Sequence, residues 1–357
     1  MPNSSHLKVA IVGCGNIAGP YAKSLASYPE TEFVGVSDVA RDRAEALAEV
    51  HGVTVFDSLD SILEDPSIDL VVNLTVHHAH YRVSTRCLEA GKHVYSEKPM
   101  ATRYSEAKAL VELAERKGLR LGCSPFTFLG EAQQTAWKWL RDNKLGTVRL
   151  AYAEVNWGRI ESWHPAPEAF YQVGPLYDVG VYPLTVLTTI FGPAKRVSSY
   201  GRVIYPDRVS MDGTAFQVNT PDFVTSTIEL ASGCLVRLTT DFYVSNKTRQ
   251  TGIEFHGDLG SLHLESWHDP DTRVFHAPFG EGYSEVPLLK EAGKMQWGLG
   301  VLDMTQAILN DEEPHVTGAQ AAHVVEILEA ISTSIGHDAS VEVTSEFKTP
   351  KPLAWSN

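Results

Sequence analysis

The sequence predicts a doubly wound α/β domain over residues 1–125, followed by an α+β domain with a large, mostly antiparallel open sheet over residues 126–357. Three observations carry this. Strand-like and helix-like stretches alternate through the first 123 residues. A glycine-rich string sits at the first strand-to-helix turn. After about residue 125 the helical alternation gives way to strand-like patterning.

The elements follow in order. Residues 7–12 form a short apolar run that stops at Gly13, the first strand. Residues 17–28 carry Ile17, Tyr21, Leu25 and Tyr28 at helical spacing and end before Pro29. Residues 32–37 read as the second strand, 42–51 as a helix with Ala44, Leu47 and Ala48 on one face, and 53–56 as a third strand. Residues 70–74 are apolar except for Asn73, as expected of a strand covered by helices on both faces. A helix over 80–90 closes at Gly91, a strand follows over 92–96, then a helix over 105–117 closes at Gly118 before a strand over 119–123.

Beyond that point a helix is expected over 133–143. Strands follow over 149–156, 196–205, 223–230, 234–243, 250–256 and 260–264, several joined by short turns such as Ala231-Ser232-Gly233. Two helices close the pattern, over 299–310 and 318–334. Thr317 and Gln320 fit a capping box at the start of the second.

At 357 residues the chain is long enough for two domains with cores of their own. A net charge of −14, with no block of Lys or Arg, disfavours nucleic acid and anionic membrane surfaces as partners. The four cysteines, Cys14, Cys87, Cys123 and Cys234, form no Cys-x-x-Cys pair and are expected to be reduced and buried. Residues 1–6 carry no charged-then-apolar leader and no apolar run approaches about 18 residues, so the cytoplasm is the expected compartment. His77, His78 and His80 lack a matching carboxylate, and no metal site is expected. The absence of a Gly-x-Ser-x-Gly string leaves a serine hydrolase unsupported.

Gly13-Cys14-Gly15-Asn16-Ile17-Ala18 fits G-x-G-x-x-A and lies where a strand ends and a helix begins, the context that gives the string meaning. Gly13 suits a tight turn, Gly15 allows a pyrophosphate to approach the backbone, and Ala18 lets the helix pack closely. The helix N-terminus through Asn16 and Ile17 then offers N–H groups to phosphate. This points to a Rossmann domain holding a nicotinamide dinucleotide. Asp38, 23 residues after Gly15, is placed to accept from the adenosine ribose hydroxyls and favours NAD. Arg41 and Arg43 are near enough to pair with a 2′-phosphate if Asp38 turned away, which leaves NADP open.

Gly91-Lys92-His93-Val94-Tyr95-Ser96-Glu97-Lys98-Pro99 resembles the "GKHV-x-x-EKP" signature of the glucose–fructose oxidoreductase / inositol dehydrogenase / MocA family, and the resemblance extends over nearly the whole chain. It implies a Rossmann domain followed by a domain on a broad sheet that often forms the subunit interface, hence a homodimer or homotetramer. It places Lys98 at the substrate near the nicotinamide, with Glu97 helping to position it and a Lys98–Pro99 bond that is often cis. The string from Asn73 to His80 is similar to the family's segment after the fourth strand. Thr75 and His80 match, while Val76 and His77 replace the usual proline and asparagine. Thr75, His77 and His80 are therefore expected to border the cofactor, His80 mainly as a hydrogen-bonded helix residue. Asp178-Val179-Gly180-Val181-Tyr182 is similar to the family's "D-x-G-x-H" element, with tyrosine where many members carry histidine, as in the glucose–fructose oxidoreductase and dihydrodiol dehydrogenase branches. Thr127-Phe128-Leu129-Gly130 resembles a bacterial group in which an aspartate usually precedes this string; here it is Phe126.

Hydride transfer at an alcohol carbon needs a group to take or return the hydroxyl proton. Free tyrosine and lysine have pKa values of about 10 and about 10.4, and a cation beside a phenol favours the phenolate. Tyr182 is accordingly expected to shuttle the proton, Lys98 to polarise the substrate oxygen, and Asp178, four residues before Tyr182 and on the same face if the helix is continuous, to hold a hydroxyl or orient Lys98. Trp163, His164 and Tyr171, with Trp157, suit a carbohydrate: aromatic faces stack on C–H surfaces and polar tips bind hydroxyls. Three readings follow: an NAD(P)-dependent sugar or polyol dehydrogenase or keto-sugar reductase, an NAD-dependent glycosidase using transient redox chemistry, and a non-catalytic NAD(H)-binding sensor.

Overall fold

The computed structural model describes residues 5–357. The chain divides into two compact units, one running through Phe126 and including Met295–Val325, the other Thr127–Lys294 with Glu326–Asn357.

The first unit carries strands β1 (Leu7–Val12), β2 (Thr31–Ser37), β3 (Thr54–Val55), β4 (Leu70–Asn73), β5 (His93–Ser96) and β6 (Leu121–Cys123). They form one parallel sheet in the order β3-β2-β1-β4-β5-β6. Between them run helices α1 (Ala18–Leu25), α2 (Arg41–His51), α3 (Leu59–Glu64), α4 (His80–Glu89) and α5 (Tyr104–Lys117). Strand order reverses between β1 and β4, so the loops after these strands border the crevice where such sheets bind ligands. Val9, Ala10, Ile11, Val71 and Val72 are fully buried, because both sheet faces are covered. α2 and α5 end at Gly52 and Gly118, whose φ of 65° and 63° is the left-handed cap that glycine adopts without Cβ strain.

The second unit begins with α6 (Glu131–Arg141), β7 (Val148–Asn156), α7 (Glu168–Asp178) and α8 (Val181–Phe191). Next come β8 (Ala194–Arg202), the hairpin strands β9 (Asp207–Val209) and β10 (Ala215–Gln217), β11 (Phe223–Leu230), β12 (Leu235–Asp241), β13 (Gly252–Gly257), β14 (Gly260–Leu264), β15 (Val274–Pro278) and β16 (Ser284–Val286). After α9 (Leu299–Asn310) of the first unit and α10 (Gly318–His337), which crosses the division, β17 (Val341–Glu342) completes the set. Nine strands form one sheet, β16-β15-β14-β13-β7-β12-β11-β8-β17, antiparallel at every junction except β7–β12. The fold class is thus the one expected. At the start of α10, Gln320 donates its backbone N–H to Thr317 Oγ1 at 3.2 Å, the Thr half of a capping box.

The sequence leaves out α3, the β9–β10 hairpin and the edge strands β15 to β17. It also treats the Asp178–Tyr182 region as a single helical face. The helix instead breaks at Val179 (φ −120°), where α7 ends and Gly180 precedes α8. A Cβ on Gly180 would lie 2.5 Å from the Leu176 carbonyl oxygen, so only glycine allows this close crossing. Asp178 and Tyr182 consequently stand on successive helices. All four cysteine thiols are buried and free, and among the described residues no helix is long and apolar enough to cross a membrane.

Candidate functional site

In the first unit the loop after β1 is shaped by close backbone packing. Gly13 has φ +97°, and a Cβ there would meet the carbonyl carbon and oxygen of Leu74 at 2.6 Å and the Thr75 nitrogen at 2.7 Å. Its N–H donates to the Ser37 carbonyl at 2.8 Å. A Cβ at Gly15 would project into open space, with nothing within 4 Å. Ile17 stands at the N-terminus of α1, which no side chain caps, and Ala18 packs at 1% exposure. An open glycine beside an uncapped helix N-terminus suits a pyrophosphate: N–H groups and the helix dipole point to the side where the backbone can be approached. These residues fit the dinucleotide.

The Asp38 carboxylate braces this loop, Oδ2 accepting the Cys14 N–H at 2.6 Å and Oδ1 that of Ala40 at 2.7 Å. A carboxylate has about four acceptor positions, so capacity remains for ribose hydroxyls. Burial, and then Asp38, push the Cys14 thiol up to about 12, which keeps it protonated and inert. Arg41 is held by two carboxylates, Glu45 at 2.8 Å and Asp57 at 2.6 Å. Arg43 is exposed on the same helix.

Lys98 follows β5 directly. Glu97 donates its N–H to the Asn73 carbonyl at 2.9 Å, which joins this segment to the end of β4. Its side chain accepts the Lys98 N–H on Oε2 at 3.0 Å and the Tyr21 hydroxyl on Oε1 at 2.7 Å. Tyr21 and Tyr95 both reach Ser124 Oγ, at 2.8 and 3.1 Å. Burial foremost, with Glu97 adding, drives the Tyr21 phenol well above its usual range. Burial does the same for Tyr95, so both stay neutral. The Lys98–Pro99 bond is cis, as is Ser124–Pro125. Thr75 turns its hydroxyl to Asn73 Oδ1 at 2.7 Å, and the His77 and His78 rings meet edge-on at 5.4 Å. His80 is buried, with both ring nitrogens at backbone carbonyls. The Trp297 ring packs 6.4 Å from that of Tyr21.

In the second unit Tyr182 lies in an aromatic cluster that sequence reasoning missed in part. Its ring is 4.9 Å from Trp267 and 6.4 Å from His268, and Trp157 packs against both of these at 5.6 and 5.7 Å. His268 Nδ1 is 2.9 Å from Ser266 Oγ, and burial holds its pKa below the usual value, so the imidazole is neutral at neutral pH. Trp267 and His268 lie more than 80 residues beyond Tyr182 in a polar turn, with no local pattern to mark them. Trp163 is exposed and packs on His164 and Phe170, an arrangement that presents ring faces.

Tyr171 is placed differently. Its hydroxyl donates to Glu161 and accepts from Arg208 Nη1 at 2.6 Å and from the Ile160 N–H at 3.3 Å. Arg208 is the hub: its fully buried guanidinium also reaches Glu161 at 3.0 Å, Asp222 at 2.5 Å, the Phe242 carbonyl at 3.1 Å and the Tyr205 carbonyl at 3.0 Å. One side chain therefore ties the segment after β7, which leads into the Trp163–His164 turn, to the segments that follow β8, β10 and β12. Neighbouring Asp241 has one carboxylate oxygen buried without a partner among the described residues. Burial, chiefly, raises its pKa. Arg208 sits in a polar stretch with no motif, and nothing in the sequence singles it out.

The two units define a class: a dinucleotide-binding oxidoreductase fold with a separate sheet domain. Residues 7–124 match the "Oxidoreductase family, NAD-binding Rossmann fold", and residues 133–263 match the "GFO/IDH/MocA C-terminal domain". The chain belongs to this family, and its first unit is the family's NAD-binding domain. It is 26% identical over 344 residues to the trans-1,2-dihydrobenzene-1,2-diol dehydrogenase of Oryctolagus cuniculus, covering 91% of this chain and 98% of that protein. It is 31% identical over 205 residues to the dTDP-3,4-didehydro-2,6-dideoxy-alpha-D-glucose 3-reductase of Streptomyces violaceoruber, covering 57% and 59%. In fold it resembles a levoglucosan dehydrogenase solved with NADH and levoglucosan, with TM-score 0.82, 19% identity and coverage of 95% and 100%.

Proposed function

We propose that this protein is an NAD-dependent dehydrogenase or reductase acting on a sugar, polyol or keto-sugar. The observation that carries the reading is the braced lysine. Glu97, tied to Tyr21 of the nucleotide-loop helix, holds the Lys98 backbone within the same domain as the Gly13–Gly15 cradle. When bound, the nicotinamide supplies a hydride acceptor or donor. Gly13, Gly15, Asn16 and Ile17 hold the pyrophosphate, Asp38 the adenosine ribose, and Thr75 and His77 border the nicotinamide end.

Lys98 polarises the substrate oxygen and Tyr182 takes or returns its proton, while Asp178 holds a second hydroxyl. A cation beside a phenol favours the ionised form that accepts the proton. Trp163 and His164 present a stacking face and a polar tip to the sugar. Tyr171, with its hydroxyl committed to Arg208 and Glu161, acts on the substrate by holding that segment in place. Relatives named as a diol dehydrogenase and a keto-sugar reductase support the carbon–oxygen redox class. Pinning of Arg41 by Glu45 and Asp57 supports NAD over NADP.

The test follows reduced-nicotinamide absorbance across a panel of sugars, polyols and aryl glycosides with NAD and NADP. A steady rise with one carbohydrate is expected. Release of the aryl group with no net absorbance change would instead make the protein a redox-assisted glycosidase. Nucleotide binding without either would make it a sensor.

A further inference from the structure

His80 opens α4 and is 1% exposed. Its Nδ1 lies 2.7 Å from the Pro99 carbonyl oxygen and its Nε2 2.8 Å from that of Thr75. Both partners accept only, so the neutral ring donates to one of them and the imidazolium to both. Around it, Asn73 Nδ2 donates to the His80 carbonyl at 3.1 Å and to Ser84 Oγ at 3.0 Å, while Asn73 Oδ1 accepts from the Thr75 hydroxyl. The start of α4 is thus fixed to the end of β4, and the imidazole has no ring nitrogen left for a ligand. What the ring reaches from this anchored position is the Pro99 carbonyl, one residue past Lys98, on one side and the Thr75 carbonyl on the other.

We infer that His80 is a positioning residue for Lys98: its Nδ1–H donates to the Pro99 carbonyl and so sets where the Lys98 side chain starts, while Nε2, which carries no proton in that neutral ring, only packs beside the Thr75 carbonyl. With Glu97 accepting the Lys98 N–H, the lysine is held by hydrogen bonds on both sides of its α-carbon. The part of this concerning turnover rests on the dehydrogenase reading. The part concerning the Pro99 tether does not.

Asparagine and glutamine separate the two ring positions, because the asparagine amide nitrogen falls near histidine Nδ1 and the glutamine amide nitrogen near Nε2. His80→Asn keeps a donor toward Pro99; His80→Gln keeps one toward Thr75. With the sugar that the wild type turns over, His80→Gln is expected to lose roughly 10- to 100-fold in kcat with little change in NADH affinity, as misplacement of a reacting group implies. His80→Asn is expected to stay within about threefold of wild type in kcat. Hydrogen exchange read by mass spectrometry applies whether or not turnover is found. His80→Gln should speed exchange across residues 97–101, and His80→Asn should leave that segment exchanging as in wild type. The wild-type protein gives a reading that needs no variant to fold: 15N spectra of its histidines should contain one buried, slowly exchanging ring protonated at Nδ1. Variants that lose kcat equally, a His80→Gln protein indistinguishable from wild type, or no slowly exchanging ring protonated at Nδ1 would each overturn the assignment. Tether-specific exchange with no dehydrogenase activity in the wild type would leave the positioning role standing and remove the dehydrogenase reading.

Discussion

Replacing Arg208 with methionine tests how the segment of the second unit that carries Glu161, Trp163 and His164 is held. Methionine is of similar length and is apolar, so the buried space stays filled while every guanidinium contact is lost. Glu161 and Asp222 are then left buried without their cation, next to Asp241, whose carboxyl is already pushed up by burial. Breaking a buried ion pair by removing one partner costs about 3–5 kcal/mol, more than the pair itself is worth. In a unit of roughly 200 residues each kcal/mol lowers Tm by about 2–4 °C, so a fall of about 10 °C is expected in scanning calorimetry. Adding Glu161→Gln and Asp222→Asn to Arg208→Met removes the uncompensated charges and should recover most of that loss. If Arg208→Met lies within about 1 kcal/mol of wild type, or the triple variant is no better than the single one, the cluster does not hold the segment as described.

Three other outcomes follow from the first unit. Gly13→Ala places a Cβ 2.6 Å from the Leu74 carbonyl at φ +97°, and is expected to cost about tenfold or more in NADH affinity by fluorescence titration. Glu45→Gln with Asp57→Asn releases Arg41 from its two carboxylates, and should raise NADPH affinity by roughly two- to fivefold while leaving NADH affinity unchanged. His315 is paired with Asp303 at 2.5 Å, and that hydrogen bond raises its pKa above 6.5 in the folded chain. A raised pKa means the pair stabilises fully below the unfolded value and fades as pH climbs through the folded one. The loss caused by His315→Ala, about 1 kcal/mol, should therefore be larger at pH 6 than at pH 9 in denaturant melts.

Legibility in the sequence followed the range of the interactions concerned. β1, β11, β14 and α9 appear in the structure with the bounds their apolar runs suggest, since burial on both faces or one face writes itself into neighbouring residues. The helix α3 is only six residues long with one buried side chain, Ile62, too little to show a period. The break at Val179–Gly180 depends on how closely Gly180 passes Leu176, a tertiary fact that the i, i+4 spacing of Asp178 and Tyr182 does not reveal. The glycine string is readable because the chemistry of a strand-to-helix phosphate turn confines such residues to adjacent positions, and Glu97–Lys98–Pro99 is readable through the family resemblance that its string carries. Trp267, His268 and Arg208 reach their partners only through the sheet, so no spacing announces them. Tyr171 reads in the sequence as one of the aromatics suited to a carbohydrate, yet its hydroxyl is part of a buried ionic network.

The central claim is that Tyr182 moves the proton in an NAD-linked reaction of a carbohydrate. Its most direct test is single-turnover absorbance of the Tyr182→Phe protein, saturated with NAD and with the sugar found for wild type, over a range of pH. The account predicts NADH affinity unchanged and a rate lowered by about 10²- to 10⁴-fold, with the pH dependence of the wild-type rate flattened. A Tyr182→Phe rate equal to wild type across that range would contradict it and move proton handling to another group.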